Sequence, residues 1–279
     1  MTCEVMAGIP HRPTLEAMTG TTTRPTVGSL LRAWRERRGL SQLQLSLDAA
    51  VSARHVSFVE TGRATPTPAM IERLAVHLDV PLRERNQLLL AAGYAPHYGE
   101  HPLDAPALRA VSDAFRTLLD AHLPYPALVL DRWWDVLDRN RATDILLDGC
   151  AEHLLEPPVN ALRLTLHPQG LAPRIDNLGQ WRRHLLSQLR ARIDRTDDPR
   201  LRELYRELSG YPGAEDGVAD AADVVVPMRL RIGAQTLSVF GIAASVLSAT
   251  DVTIDELHIE AFYPADERTA RMLRAGVGG

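Results

Sequence analysis

The sequence contains no lysine, and all 31 of its basic residues are arginine. This usage reflects the base composition of the genome. It has only two cysteines, Cys3 and Cys150, which argues against a disulfide framework and a cysteine-based zinc site and favours a reducing compartment. No apolar run approaches the ~18 residues that a membrane helix requires. The N-terminus lacks the basic start and apolar centre of a secretory signal. These absences predict a cytoplasmic protein with no membrane partner.

The net charge of −4 conceals a division along the chain. Residues 24–95 hold ten arginines against six acidic residues, whereas the remainder holds 21 arginines against 29 acidic residues. A basic module joined to an acidic one predicts a polyanionic partner for the first module and not for the second.

Short helical patterns with capping residues follow one another over residues 27–93. Ser41 and Gln44 have the spacing of a capping box, while Ser52 and Thr67 are residue types that favour N-cap positions. Five short helices in so few residues predict a compact all-α bundle.

The rest of the chain mixes two periodicities. Apolar residues recur at helical spacing over 108–119 and 178–193, and they alternate with polar residues over 228–232 and 257–261. Further short strands are predicted at 127–130 and from residue 135. This mixture predicts an α+β domain with an antiparallel sheet whose strands are half-buried.

The segment 41–63 has the pattern of a helix-turn-helix, with two capped helices joined by a tight turn. The second helix turns Val56 and Val59 inward, which leaves Arg54 and Phe58 outward to meet guanine edges and thymine methyl groups. The alternative is a plain helical bundle with a polar face. The residues predicted to contact DNA are Gln42, Ser52, Ala53, Arg54, His55, Ser57, Phe58 and Arg63, with Gln42 and Arg63 placed at phosphates or supporting the helix.

Two further strings allow a family comparison. The string Arg35-x-Arg37-Arg38-Gly39-Leu40-Ser41-Gln42, followed by Ala49-x-Val51-Ser52 and Glu60-x-Gly62, resembles the Xre/Cro/C1-type helix-turn-helix family. The longer strings 52–63 and 81–94 resemble the subgroup that is joined to an MmyB-like ligand-binding domain. One position departs from the pattern, because Ala50 stands where the family usually has glycine. A positive φ there would cost on the order of 1 kcal/mol.

The resemblance continues in the second half. Residues 123–142, 162–168 and 251–266 look like segments of MmyB-like domains, so that the similarity covers about residues 27–274. It implies a PAS-like fold enclosing a cavity for a small apolar or lipid-like effector, such as a fatty-acid-like molecule. The predicted organisation is a disordered lead (1–26), a helix-turn-helix domain (27–94), a linker (95–106), a PAS-like α+β domain (107–274) and a tail (275–279).

Candidate residues for the cavity come from the large apolar side chains of the second domain. The residues predicted to line it are Trp134, Leu137, Leu166, Trp181, Leu185, Leu189 and Phe240, with Asn140 or His167 as a polar anchor. The alternative is that the apolar residues are ordinary core and that Asn140 and His167 make structural hydrogen bonds.

Enzymatic patterns are incomplete. His258-x-Glu260 is shared with zinc deaminases, but their Pro-Cys-x-x-Cys partner motif is absent. His97 and His101 have metal-ligand spacing but no third ligand nearby, and Asp197-Asp198 before a proline is typical of a helix cap. The sequence therefore predicts neither a metal, nor a cofactor, nor an enzyme.

Together these patterns predict a multidomain transcription regulator that binds double-stranded operator DNA sequence-specifically, as a homodimer, and responds to an effector in its second domain. The open alternative is a DNA-binding protein whose second domain only dimerises or recruits a partner.

Overall fold

The computed structural model describes residues 25–213 and 225–276. Nearly all of the predicted lead at 1–26 and most of the predicted tail at 275–279 lie outside these described residues. Within the described ranges, no helix is both long enough and apolar enough to cross a membrane.

The N-terminal domain is the predicted all-α bundle. Its helices are α1 (Val27–Arg37), α2 (Gln42–Asp48), α3 (Ala53–Glu60), α4 (Pro68–His77) and α5 (Leu82–Ala91). The predicted caps are confirmed: Ser41 and Gln44 make both bonds of a capping box, and the side chains of Ser52 and Thr67 cap α3 and α4. Leu31, Leu45, Val56, Ile71 and Leu88 meet in its core.

The turn between α2 and α3 passes through Ala50, whose φ is 51°. This position is therefore in the left-handed region, where a side chain is strained and glycine is not. Backbone bonds hold the turn, with Val51 N–H donating to Ser46 O at 2.9 Å. The departure from the family pattern thus places a side chain in a strained backbone conformation.

The second domain is built on one curled, five-stranded antiparallel sheet, as the sequence predicts. Its strands are β1 (Ala127–Leu130), β2 (Val136–Arg139), β3 (Met228–Ile232), β4 (Gln235–Ala244) and β5 (His258–Pro264). Their order across the sheet is β2-β1-β5-β4-β3, so β5, late in the chain, is the central strand.

Helices cover both faces of this sheet. They are α6 (Arg109–Ala121), α7 (Asp144–Leu147), α8 (Ala161–Leu166), α9 (Leu178–Thr196), α10 (Pro199–Ser209), α11 (Val252–Asp255) and α12 (Glu267–Gly276), with short 3-10 helices at Pro106–Leu108, Arg141–Thr143, Glu152–Leu154 and Ala172–Arg174. Phe115 and Leu119 of α6 share a core with Val129 and Ile259 on one face. The long helix α9 belongs to the larger core on the other face.

The central strand β5 differs from the half-buried pattern expected from its alternation. Ile259 and Ala261 face α6, as apolar residues should. The polar side of the alternation, with His258 and Glu260, faces the space beneath α9 and not open solvent. The reason is that a central strand with helices on both faces has no outer side. Phe262, on the same side as Glu260, is also buried.

Candidate nucleic-acid interface and ligand cavity

Helix α3 presents the surface predicted to meet DNA. Its inward residues Val56 and Val59 are almost fully buried, which fixes the rotation of the helix. Arg54 is exposed near its N-terminal end, and Ser52, at the N-cap, is exposed just before it. Ala53, His55 and Ser57 are partly exposed on the same helix.

Two guanidinium groups lie over one aromatic ring on this surface. The Cζ atoms of Arg54 and Arg63 lie 5.1 Å and 5.9 Å from the centroid of the Phe58 ring. Phe58 is half-buried, so its ring restricts the two long arginine side chains while leaving part of the surface open. We call Arg54, Phe58 and Arg63 the reading face, since it combines two exposed guanidinium groups with an aromatic ring between them.

A buried ion pair supports the helices behind the reading face. Glu60, at the end of α3, accepts two hydrogen bonds from Arg35 of α1, at 2.6 Å and 2.9 Å. The Glu60 side chain is only 3% exposed. Gln42 Nε2 also donates to Glu60, at 2.8 Å, so this amide is tied to the ion pair and has one N–H left for a phosphate.

The second domain contains two adjoining, partly open cavities beneath α9. The larger has a volume of about 830 Å³, and its lining includes Trp134, Leu185, Arg192, Phe240 and His258. The smaller, of about 460 Å³, is lined mainly by apolar side chains such as Leu146, Leu162 and Met228. Trp181, Leu185 and Glu260 line both cavities and therefore stand where the two meet.

Six ionisable side chains give the larger cavity a polar wall, among them Arg192, His258 and Glu260. Burial lowers the pKa of Arg192 to about 10 and that of His258 to about 4, with the positive charge of Arg192 adding to the effect on His258. Burial raises the pKa of the Glu260 carboxyl to about 7. The Arg192 guanidinium also lies over the ring of Trp134, with Cζ 4.8 Å from the centroid.

The predicted cavity residues divide into two groups. Trp134, Trp181, Leu185 and Phe240 line the larger cavity, and Leu137, Trp181 and Leu185 line the smaller one. The linings include neither of two fully buried core residues, Leu166 and Leu189.

Neither proposed polar anchor lies in these linings. Asn140 is buried and uses its side chain on the backbone of Leu119, Tyr125 and Ala127. His167 accepts a hydrogen bond from the backbone of Gln169 and contacts the rings of His153 and Tyr211.

Two protein-family models match this chain and show the family to which it belongs. The model of the MmyB-like transcription regulator ligand binding domain matches residues 111–275, which is more than half of the chain. A helix-turn-helix domain model matches residues 26–88. This chain belongs to the MmyB-like transcription regulators. The resemblance inferred from the sequence is thus confirmed, and neither matching family model describes an enzyme.

Two proteins of Bacillus subtilis (strain 168) are similar to part of this MmyB-like regulator. The HTH-type transcriptional regulator RghRB is 29% identical over 114 residues, which are 40% of this chain and 80% of RghRB. The HTH-type transcriptional repressor RghR is 43% identical over 68 residues, which are 24% of this chain and 48% of RghR.

Two solved structures are also similar. The SinR protein/SinI protein complex aligns with 34% of this regulator and 93% of the solved chain, at 24% identity and a TM-score of 0.21. An RNA-binding light-oxygen-voltage receptor aligns with 91% of this regulator and 63% of the solved chain, at 13% identity and a TM-score of 0.25.

Ion pairs join the two domains of this MmyB-like regulator. Arg83 of α5 donates two hydrogen bonds to Glu256, which follows α11, at 2.7 Å and 3.0 Å. The same carboxylate accepts from Arg132, which also bonds Asp198. A second contact, from Arg37 to Asp197, measures 2.8 Å. The N-terminal domain is therefore held against the end of β5 that leads into the cavity.

Sequence reasoning missed Arg192 and the cavity role of His258 and Glu260, which it considered only as a metal motif. The available indication was Phe262, whose position on the polar side of the strand shows that this side is covered. In the described part of the chain, no cluster of three potential metal ligands occurs. His101 instead pairs with Asp251 at 2.7 Å.

Proposed function

We propose that this MmyB-like regulator binds operator DNA sequence-specifically through the reading face and responds to a small apolar or lipid-like effector in its second domain. The supporting observation is that one chain combines two exposed arginines, Arg54 on a capped helix and Arg63 just after it, with a cavity beneath a long helix. The proposal includes the division into helix-turn-helix domain (27–94), linker (95–106) and PAS-like domain (107–274). It also places the protein in the cytoplasm and assigns it no catalytic activity.

Arg54 is the proposed main base reader. Replacing it with alanine should weaken operator binding by roughly 1–3 kcal/mol and relax the preference at one base pair, because a bidentate contact to guanine would be lost. Fluorescence anisotropy with the operator and single-base variants measures both effects. Genome-wide mapping of the bound DNA supplies the operator.

The matched control for this change is Arg109→Ala. Arg109 is exposed on α6 in the other domain, so the substitution removes the same charge far along the chain. It should leave the base preference intact. An Arg54→Ala protein with unchanged sequence preference would contradict the assignment.

The protein is proposed to bind DNA as a homodimer. One eight-residue helix covers only a few base pairs, whereas a two-fold dimer reads two half-sites about one helical turn apart. The acidic second domain is the proposed dimer surface, since it has no need to approach DNA. Sedimentation of the free and operator-bound protein should show a dimer, and a monomer in both states would refute this.

Leu185 offers a test of whether the cavities accept an effector. Leu185→Trp should fill space where both cavities meet, leave stability unchanged or slightly raised, and abolish the effector response without affecting DNA affinity. Thermal unfolding of the ligand-free protein measures the first effect. A thermal-shift screen with fatty acids and acyl metabolites measures the second, since a ligand of the native state raises its stability.

Leu189→Trp is the control on the same helix. Leu189 is fully buried outside the two linings, so the larger side chain should overpack the core and cost about 1–3 kcal/mol. Two results together would show that the second domain serves only dimerisation or recruitment. Leu185→Trp would destabilise the protein as much as Leu189→Trp does, and no compound would shift the melting temperature of the wild-type protein.

A further inference from the structure

Glu260 stands at the junction of the two cavities. Its carboxyl lies across Gly241 of β4: a Cβ at that glycine would stand 3.0 Å from Glu260 Oε1. The glycine therefore provides the room that the carboxyl occupies. No group within the described ranges forms a hydrogen bond or an ion pair with this carboxyl, although it lines both cavities.

The indole of Trp181 adds a donor at the same junction. Trp181 is only 4% exposed and also lines both cavities. Its Nε1–H is buried, and no acceptor for it exists among the residues that the structure describes. Buried polar groups are nearly always paired, so this N–H is unusual, while the unpaired Glu260 carboxyl beside it is open to the junction. A molecule in the junction would contact the Glu260 carboxyl and lie against the indole of Trp181.

The chemistry on either side of the junction is different. The smaller cavity is mainly apolar, whereas the larger one has Arg192 and His258 in its wall. A suitable molecule therefore has an apolar chain, then a hydrogen-bond donor at the level of Glu260, and then a polar end.

We propose that Glu260 and Trp181 determine the ligand specificity of the cavity by selecting an amphiphile with an amide or hydroxyl group after its apolar chain. The amide N–H or the hydroxyl donates to Glu260, and the indole of Trp181 packs against the molecule beside this bond. This inference rests on the proposed effector-binding function and adds the chemical class of the ligand. A plain alkanoic acid would cover the Glu260 carboxyl without offering it a donor, which such a site penalises strongly.

Two probes of equal chain length separate these possibilities. N-dodecanoylglycine has an amide where pentadecanoic acid has two methylene groups, and both carry the same terminal carboxylate. Any attraction of the carboxylate to Arg192 is therefore common to both. Isothermal titration calorimetry on the full-length protein should show that it binds N-dodecanoylglycine about tenfold or more tightly than pentadecanoic acid.

Two substitutions assign the preference to Glu260. Glu260→Leu removes the acceptor at similar size and should abolish the preference for the amide. Glu260→Gln retains an acceptor oxygen and should keep it. Glu152→Leu, at an exposed position elsewhere in the domain, controls for the loss of a carboxylate and should match the wild type.

Each other result has a definite meaning. Equal binding of the two probes, or tighter binding of pentadecanoic acid, would overturn the specificity role and leave the proposed effector-binding function standing. A preference that persists in Glu260→Leu would overturn the assignment to Glu260. If the wild-type protein binds neither probe, the specificity role and the proposed acyl-type effector both fail.

Discussion

Replacing Glu60 with alanine is expected to lower the free energy of unfolding of the helix-turn-helix domain by about 3–5 kcal/mol. The substitution leaves the buried guanidinium of Arg35 without its carboxylate and removes the acceptor that holds Gln42. Most of the loss comes from this charge, which among the described residues keeps only Leu40 O at 2.8 Å and the half-exposed Glu36 carboxylate at 3.7 Å to compensate its desolvation. Hydrogen exchange of helices α1–α5 in the full-length protein measures the change.

The control is Glu36→Ala in the same domain. Glu36 pairs with Arg32 at 2.7 Å and lies 3.7 Å from Arg35, but its own side chain and that of Arg32 are more than half exposed. A pair of this kind contributes only about 0.3–0.5 kcal/mol, because solvent screens it. Similar losses of unfolding free energy for the two substitutions would show that the Arg35–Glu60 pair stabilises the domain no more than an exposed pair does.

Replacing Glu260 with glutamine is expected to change the pH dependence of stability in the ligand-free protein. Burial raises the pKa of Glu260 from its ordinary 4.5 to about 7. Between these values the unfolded chain releases a proton that the folded chain keeps, so wild-type stability falls as the pH rises through this window. Glutamine removes this loss, and the variant should gain on the wild type by up to about 1.4 kcal/mol per pH unit, on the order of 3 kcal/mol by pH 7.

The opposite slope is expected from His258. Its pKa is lowered from 6.5 to about 4, so the unfolded chain gains a proton first as the pH falls below 6.5. Stability that depends on His258 is therefore lost on acidification, and His258→Asn should remove that loss. Between about pH 4.5 and 6.5 the pH dependences of stability from Glu260 and His258 offset each other in the wild type. The Glu260 variant therefore shows the slope that His258 causes, and the His258 variant shows the slope that Glu260 causes.

Urea unfolding at a series of pH values from 5 to 8 tests both slopes. The transition of the second domain is followed by the fluorescence of its three tryptophans, Trp133, Trp134 and Trp181. Difference curves that are flat for both variants would show that neither group is shielded from water as its position indicates.

The helices of the N-terminal domain could be predicted because their determinants are local. A capping box needs only Ser41 and Gln44, three residues apart, and the strained turn at Ala50 follows from a single position in the pattern. The strands of the second domain were also predicted, since alternation over five residues is a local property.

The polar part of the cavity could not be predicted, because it depends on residues brought together from distant parts of the chain. Arg192 belongs to a long helix whose charged residues are typical of a solvated face, and nothing local shows that it meets β5. Asn140 is a polar residue beside apolar ones, which fits an anchor and a structural amide equally. The packing of α6 and β1 assigns its hydrogen bonds.

The ion pairs from Arg83 to Glu256 and from Arg37 to Asp197 have a consequence for the range of buffers in which the regulator works. Contacts between partly exposed charges weaken as mobile ions accumulate around them, with a Debye length of about 10 Å at 0.1 M salt and 3 Å at 1 M. Concentrated salt should therefore release one domain from the other while leaving the apolar core of each intact. Operator affinities measured in dilute and in concentrated electrolyte would then belong to two different arrangements of the same molecule.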